Sequence, residues 1–558
     1  MAITTDDHSS TGSTEAGASI PDFEAPGPGG WMLDTTHHGC RPLTRFMAPI
    51  YEATGAGFVA SMSRYGLPLE RMATGNVNGY LYMRPMPVGE GAKPGPAPPA
   101  PIMKVLSRIH PGLRRRNRAA RDAWTERRWR ADVDEWFEGE RAGQVDQNVA
   151  LQGVDLVGLD DAALVGHVDA VVANFAHSGV RSFETHGGDI MPVGDYLAHC
   201  AEWGIDLNAA SALLTGASPA SIETREILQP VVHALAGAAR APTSVAEVRA
   251  LGPDAAAAVD TWLDQHGARL VGSDDIDAPT LGEMPEAQLT ALLSLTADAP
   301  SAPPDGDVVR ARVPEDDRVL FDELLAEARH GLRLRDDSVG VRWQWPAGLI
   351  RRALLEVGSR LAARGVMSEA GHAFQLDLAE VGPALDGSGP AAAEIAGRVG
   401  LHEARIALDA PLTLGPEEEP PPVEALPKPL GRATGAMLTL MGAMEGETDA
   451  RSALHGVGIG TEPYRGPARV VTSPTDAFDR LEPGDVLVTA FTGPAYNSLL
   501  PIVGALAVEL GGPMCHAAIV AREFGLPAVI GARGATTAIT DGQMVEVDPV
   551  EGVITVLS

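Results

Sequence analysis

The sequence predicts a protein of at least two parts, an α-rich N-terminal and central region followed by a C-terminal α/β domain. Three observations predict it. The chain has 558 residues, more than one core accommodates when about 100 to 200 residues per domain is usual. Apolar residues recur every three to four positions over much of 132–365, the signature of amphipathic helices. Past His455 the texture changes to short β-type runs (ARVV, DVLVT, ALAVEL, AVIG, MVEV, GVITVL) cut by Gly, Pro and Asp turns, with one helical run among them.

In chain order, residues 1–40 read as a disordered tail, rich in Ser, Thr, Asp, Gly and Pro as far as Gly30 and without the basic start or apolar stretch of a secretion signal. A mostly helical region is expected over 41–435. Within it Pro85, Pro87, Pro94, Pro96, Pro98, Pro99 and Pro101 make 85–101 a loop, since each proline removes a backbone donor. Two helical blocks follow. The first includes LDDAALVGHVDAVVANFAHSG and YLAHCAEWGIDLNAASALL, and the second includes RVLFDELLAEARHGLRLRDDS and PAGLIRRALLEVGSRLAARG. The next segment, AFQLDLAEV, reads as a short strand or turn. After the helix-breaking EEEPPPVEALPKP, the run GAMLTLMGAMEGE reads as a short helix leading out of the region, with 436–455 as linker and 456–558 as the C-terminal domain.

Composition narrows the function. No apolar run approaches the ~18 to 20 residues that cross a bilayer. The net charge of −31 opposes binding to a polyphosphate backbone. Cys40, Cys200 and Cys515 are odd in number, far apart and without CxxC spacing, which argues against disulfides and a zinc site and fits a reducing cytoplasm. No metal ligand set is expected. One segment departs from the acidic balance, KVLSRIHPGLRRRNRAARDAWTERRWR from Lys104 to Arg130. It reads either as a solvated helix face balanced by acidic neighbours or as a docking surface for an acidic or phosphate-bearing partner.

The chemistry concentrates in GGPMCHAAIVAREFGLPAVIG, Gly511 to Gly531, which with the preceding ALAVEL spells strand, glycine turn, histidine, helix, strand. A histidine at a helix start meets unpaired N–H donors and the positive end of the helix dipole, both of which favour a phosphate on His516. Gly511 and Gly512 let backbone approach without a Cβ. Arg522 either balances phosphate charge or forms a structural ion pair with a neighbour such as Glu523. Imidazole is a fit nucleophile for phosphorus, neutral at cellular pH with an unperturbed pKa of ~6.5.

This run, with GVGIGTEPYRGPARVV and GDVLVTAFTGP upstream, resembles the mobile, phosphohistidine swivelling domain of the PEP-utilising enzyme family over about Gly456 to Ser558. The resemblance implies that His516 is the phosphorylated histidine, with Gly511, Gly512, Cys515, Ala517 and Arg522 supporting the phosphate and Glu523, Gly525, Pro527 and Gly531 forming the helix and following turn. Met514 departs from the regulatory threonine of the dikinases, so that control is not expected, and Cys515 reads as a small packing residue. The helical region resembles the acceptor-binding part of rifampin phosphotransferase and phenylphosphate synthase-like proteins through NVNGYLYMRP, RLRDDSVGVRWQWPAGLIRRALLEVGSRLAARG and AFQLDLAEV.

No segment resembles the family's ATP-grasp domain or PEP-binding barrel, and no P-loop is present. The resemblance therefore implies a phosphotransferase in which a separate ATP-grasp subunit, with ATP and Mg²⁺, phosphorylates His516, which passes the group to a small-molecule hydroxyl. A ligand-binding or regulatory protein without a phosphoryl donor is the alternative; PEP as donor or acceptor would need the barrel from a partner. The acceptor step needs a base. Candidates are His186 and Asp189 in ETHGGD and Arg335 with Asp336 in RLRDD, against the plainer readings of a helix boundary and a solvated helix end. His199 and His330 read as core or surface histidines.

Overall fold

The computed structural model describes residues 21–34, 41–89, 98–271, 273, 275–293, 305–416, 422–446, 454–472, 474–493, 496, 499–500 and 502–557, without the side chains of 219–222, 336, 474 and 475. Parts of the expected tail (1–20, 35–40, with Cys40), of the proline-rich stretch (90–97) and of the linker (447–453) lie outside these residues.

Helices dominate as far as Glu445, but they carry a four-stranded antiparallel sheet that the mostly helical reading did not include. Its strands are β1 (Trp31–Leu33), β2 (Leu69–Val77), β3 (Tyr80–Pro87) and β4 (Thr413–Leu414), in the order β2-β3-β1-β4. β1 falls inside the segment read as tail. Trp31 and Leu33 are buried against Tyr80, Tyr82 and Leu414, so apolar burial holds these residues in place. Asn78 and Gly79, with φ of 53° and 88°, turn β2 into β3, the left-handed pair that a two-residue hairpin demands. Pro85 and Pro87, expected in a loop, close β3 where only β2 flanks it and a missing N–H is tolerated.

The helical core forms around two long seams. One joins the helices Ala48–Arg64, Asp161–Thr185 and Trp345–Ala363 over Tyr51, Phe175 and Trp343. The other joins Gly187–Glu202, Arg318–Val339 and Lys428–Glu445. AFQLDLAEV forms 3₁₀ turns, Ala370–Gln375 and Leu378–Glu380, rather than a strand. Residues 436–445, expected in the linker, are the last turns of the helix Lys428–Glu445, held because Leu430, Ala433, Leu440 and Ala443 are buried. That helix lies so close to Gly187–Glu202 that a Cβ on Gly194 would stand 2.0 Å from Ala436 O.

The C-terminal domain is the expected α/β unit. Its sheet runs β11-β10-β6-β7-β8-β9-β5, made of β5 (Val457–Ile459), β6 (Tyr464–Val471), β7 (Val486–Thr489), β8 (Ala505–Val508), β9 (Ala528–Ile530), β10 (Met544–Asp548) and β11 (Val553–Val556). β6 to β9 are parallel, and β7, β8 and β9 are buried throughout, as strands covered on both faces must be. The helix His516–Phe524 crosses from β8 to β9, which sets its first residue beyond the carboxyl end of a parallel strand.

Gly194→Ala should lower stability by about 1 to 3 kcal/mol by forcing two helices apart, read as a shift of the urea midpoint. An unchanged midpoint would show that the two helices are not in this contact.

Candidate active site at the domain junction

His516 opens its helix, with Cys515 as the N-cap residue in extended conformation. The preceding loop depends on Gly511, whose φ of +117° and approach to Cys515 (2.6 Å from an added Cβ to Sγ) both exclude a side chain. Gly512 has a different reason. A Cβ there would stand 2.6 Å from Ala443 O, at the end of the helix Lys428–Glu445. The helix end and the loop are joined by two hydrogen bonds, Gly512 N–H to Met444 O (2.9 Å) and Met514 N–H to Ala443 O (2.8 Å). The last carbonyls of a helix have no partner within it, and here the histidine loop supplies one.

The His516 ring is held by Thr492, whose Oγ1 lies 3.2 Å from Nδ1, while Nε2 is buried and has no hydrogen-bond partner among the described residues. Burial lowers the pKa of His516 to about 3, so the ring is neutral at cellular pH. In the tautomer with Nδ1–H donating to Thr492, the lone pair is on Nε2. Thr492 is a site residue that the sequence reading did not identify, although it follows the buried strand β7 at its carboxyl end.

Arg522 turns back on its own domain. Its Nη1 donates to Pro513 O (2.7 Å) and its Nη2 to Asn208 Oδ1 in the helical region, and burial lowers its pKa to about 10. In this arrangement it braces the loop; its partners are a carbonyl and an amide rather than an acidic neighbour. Cys515 is half-buried, and burial raises the pKa of its thiol. Ala517 is buried in the core, leaving only its backbone to serve a phosphate.

Three of the four acceptor-side candidates come together next to this loop. His186 is the junction between the helices Asp161–Thr185 and Gly187–Glu202, a helix boundary that also carries a buried polar group. Its Nδ1 lies 3.1 Å from Oδ1 of Asp189, which is 2% exposed. Oδ2 of Asp189 is 3.9 Å from Arg335 Nε, and neither carboxylate oxygen accepts a hydrogen bond from the described residues. Burial works to raise the pKa of Asp189, but His186 and Arg335 outweigh it and hold the carboxyl below its usual range. Arg335 Nη2 then donates to Met444 Sδ (2.8 Å), the same residue whose carbonyl accepts from Gly512. The RLRDD segment is thus no solvated helix end. It lies inside the helix Arg318–Val339, with Arg335 turned into the seam. The Asp336 side chain is outside the described residues.

Glycines 187 and 188 let large groups close on this cluster; a Cβ on Gly187 would stand 2.2 Å from the Tyr65 ring. Tyr65 in turn hydrogen-bonds Asp132, which also binds Arg64 (2.6 Å). The basic segment divides. Arg127 and Arg130 enclose the buried Glu327, Arg121 and Arg128 pair with Asp122 and Glu126, and Arg114, Arg115 and Arg118 are exposed. His199 and His330 are half-buried, beside Asp195 and Asp134. Among the described residues no group of three or more His, Cys, Asp or Glu could hold a metal ion, and no helix is long and apolar enough to cross a membrane.

Residues 481–552 match the family model described as PEP-utilising enzyme, mobile domain, and carry that domain. The chain is similar to a rifampicin phosphotransferase of Streptomyces sviceus, 30% identical over 337 residues, covering 55% of this chain and 35% of that protein. A rifampicin phosphotransferase of Bacillus cereus is 42% identical over 118 residues, 21% of this chain and 13% of its own length. An uncharacterised protein of Mycobacterium tuberculosis is 28% identical over 446 residues, 74% of this chain and 48% of that one. The chain thus spans between about an eighth and a half of the length of these relatives.

The buried ring makes a pH prediction. Because its pKa is about 3 in the folded chain against 6.5 ordinarily, the unfolded chain binds more protons across that window, and this group's contribution to stability is lost as pH falls through it. Nitrogen NMR of the full chain with labelled histidine should show His516 as a neutral imidazole down to about pH 5. Titration near the ordinary value would contradict the buried placement.

Proposed function

We propose that this chain is the carrier and acceptor portion of a phosphotransferase, with His516 ferrying a phosphoryl group to a hydroxyl on a small molecule bound at the helical region. The observation that carries the reading is Nε2 of His516, unpaired among the described residues, at a helix start whose preceding loop is bonded to Met444, the residue that Arg335 of the Arg335–Asp189–His186 cluster touches. The similarity to rifampicin phosphotransferases supports it.

In the donor step the Nε2 lone pair attacks a phosphorus of ATP; the N–P bond forms, the P–O bond to the nucleotide breaks and the nucleotide leaves. Thr492 orients the ring for this by holding Nδ1. The ATP site we assign to a separate ATP-grasp protein, where Mg²⁺ would neutralise the nucleotide phosphates. In the acceptor step the hydroxyl oxygen attacks the phosphorus, the N–P bond breaks and its electron pair returns to Nε2. The hydroxyl proton passes to Asp189, whose carboxylate is ionised at neutral pH and whose Oδ2 has no hydrogen-bond partner among the described residues. Arg335 offers positive charge to the transferring oxygens, and His186 orients Asp189.

Incubation with an ATP-grasp partner, Mg²⁺ and ATP labelled at the β or γ position should give acid-labile, base-stable label on the chain that His516→Ala abolishes. Asp189→Asn should label normally but lose its phosphate to rifampicin, used as probe acceptor, about 10²-fold more slowly. Label that survives His516→Ala would overturn the carrier role, and equal discharge by Asp189→Asn would overturn the role of that carboxylate.

A further inference from the structure

We infer that Asn208 is a latch that positions the C-terminal domain against the helical region and sets how readily it leaves. The inference rests on the reading above, in which that domain travels between two sites. Asn208 lies in the short helix Leu207–Ala212, where it is poorly free to move. Asp206 caps the helix through Asn208 N (2.9 Å) and Ala209 N (3.1 Å), Tyr196 donates to Ala210 O (3.1 Å), and Ala210, Leu213 and Leu214 are buried in the helical core.

From this fixed base the side chain crosses the domain boundary with both ends of its amide. Nδ2 donates to Gly458 O in β5 (2.7 Å), and Oδ1 accepts from Arg522 Nη2 in the histidine helix. A carbonyl requires the NH₂ end and a guanidinium the oxygen end, so the orientation of the amide is dictated by its partners. One residue therefore reads two elements of the C-terminal domain at once, and only in the docked position. Through Arg522 Nη1 and Pro513 O the contact extends to the loop that carries His516.

The chemistry of the pair suits a contact that must break. Arg522 is a buried cation whose hydrogen-bond partners here are neutral, an amide oxygen and a carbonyl, with the Asp206 carboxylate near enough to attract it without bonding it. A carboxylate at position 208 would make an ion pair, and an apolar residue would leave Nη2 unpaired. The amide holds without locking. A second anchor sits beside it. Met514 is 2% exposed and joins the core of the helical region near Leu440 and Ala443, while Leu228, Val259 and Trp262 share a second core with Ile459, Leu506 and Ala521 of the C-terminal domain.

Hydrogen exchange on the intact chain reads the docked fraction directly, because the amides of Gly512 and Met514 are bonded to Met444 and Ala443 only across the boundary. Asn208→Ala, which removes both bonds, should speed exchange of the loop peptide about tenfold, and Asn208→Asp, which keeps an acceptor for Arg522 but turns a carboxylate oxygen on Gly458 O, should speed it less, with exchange in β7 to β9 unchanged. His516 labelling by the donor protein should rise in the same order, wild type, aspartate variant, alanine variant. An asparagine that does not hold the domain would leave loop exchange and labelling unchanged in both variants. If the wild-type loop opens on its own but neither variant shifts it, the latch is wrong. If the wild-type loop exchanges only with the sheet core, the moving-domain reading itself fails.

Discussion

The site depends on one interaction, the capping of the helix Lys428–Glu445 by the histidine loop. A helix end leaves carbonyls without partners, and in this chain Ala443 and Met444 turn theirs toward Met514 and Gly512 of another domain. That contact requires glycine at 512, buries Met514, and bonds the loop that leads to His516 onto Met444, whose side chain also touches Arg335. The acceptor-side cluster and the histidine are thereby coupled by the end of a single helix.

The electrostatics follow from the same junction. Burial alone accounts for the depressed pKa of His516, with no charged neighbour contributing, so the docked pocket suits a neutral imidazole. A phosphoryl group there would bring roughly two negative charges to the positive end of the histidine helix, in a pocket where no charged neighbour shifts the ring. On the proposed reading this imbalance favours transfer or departure over storage. Asp189 complements it, a buried carboxylate kept ionised by His186 and Arg335.

Much of this was legible in the sequence where the signal was contiguous. GGPMCHAAIVARE spells strand, turn and helix in one run, because a nucleophile at a helix start is built from neighbours. His186 and Asp189 stood out within ETHGGD, a histidine, two glycines and an aspartate in a row between helical runs. The rest depends on distance along the chain. Thr492 is 24 residues from His516 and Asn208 is 314 from Arg522, and a lone threonine or asparagine carries no local pattern. The linker reading failed because the apolar positions of 436–445 are buried only against helices far away in sequence. The Asn78–Gly79 hairpin was the reverse case, a local turn signal in a stretch grouped with the helical region although the helical periodicity lies over 132–365.

The central claim is that His516 carries phosphate on the nitrogen the fold leaves open. Phosphorus NMR of the denatured, phosphorylated chain distinguishes the two phosphohistidine isomers. The account predicts phosphate on Nε2 of His516, because Thr492 occupies Nδ1. Phosphate on Nδ1, or on any other residue, would contradict it.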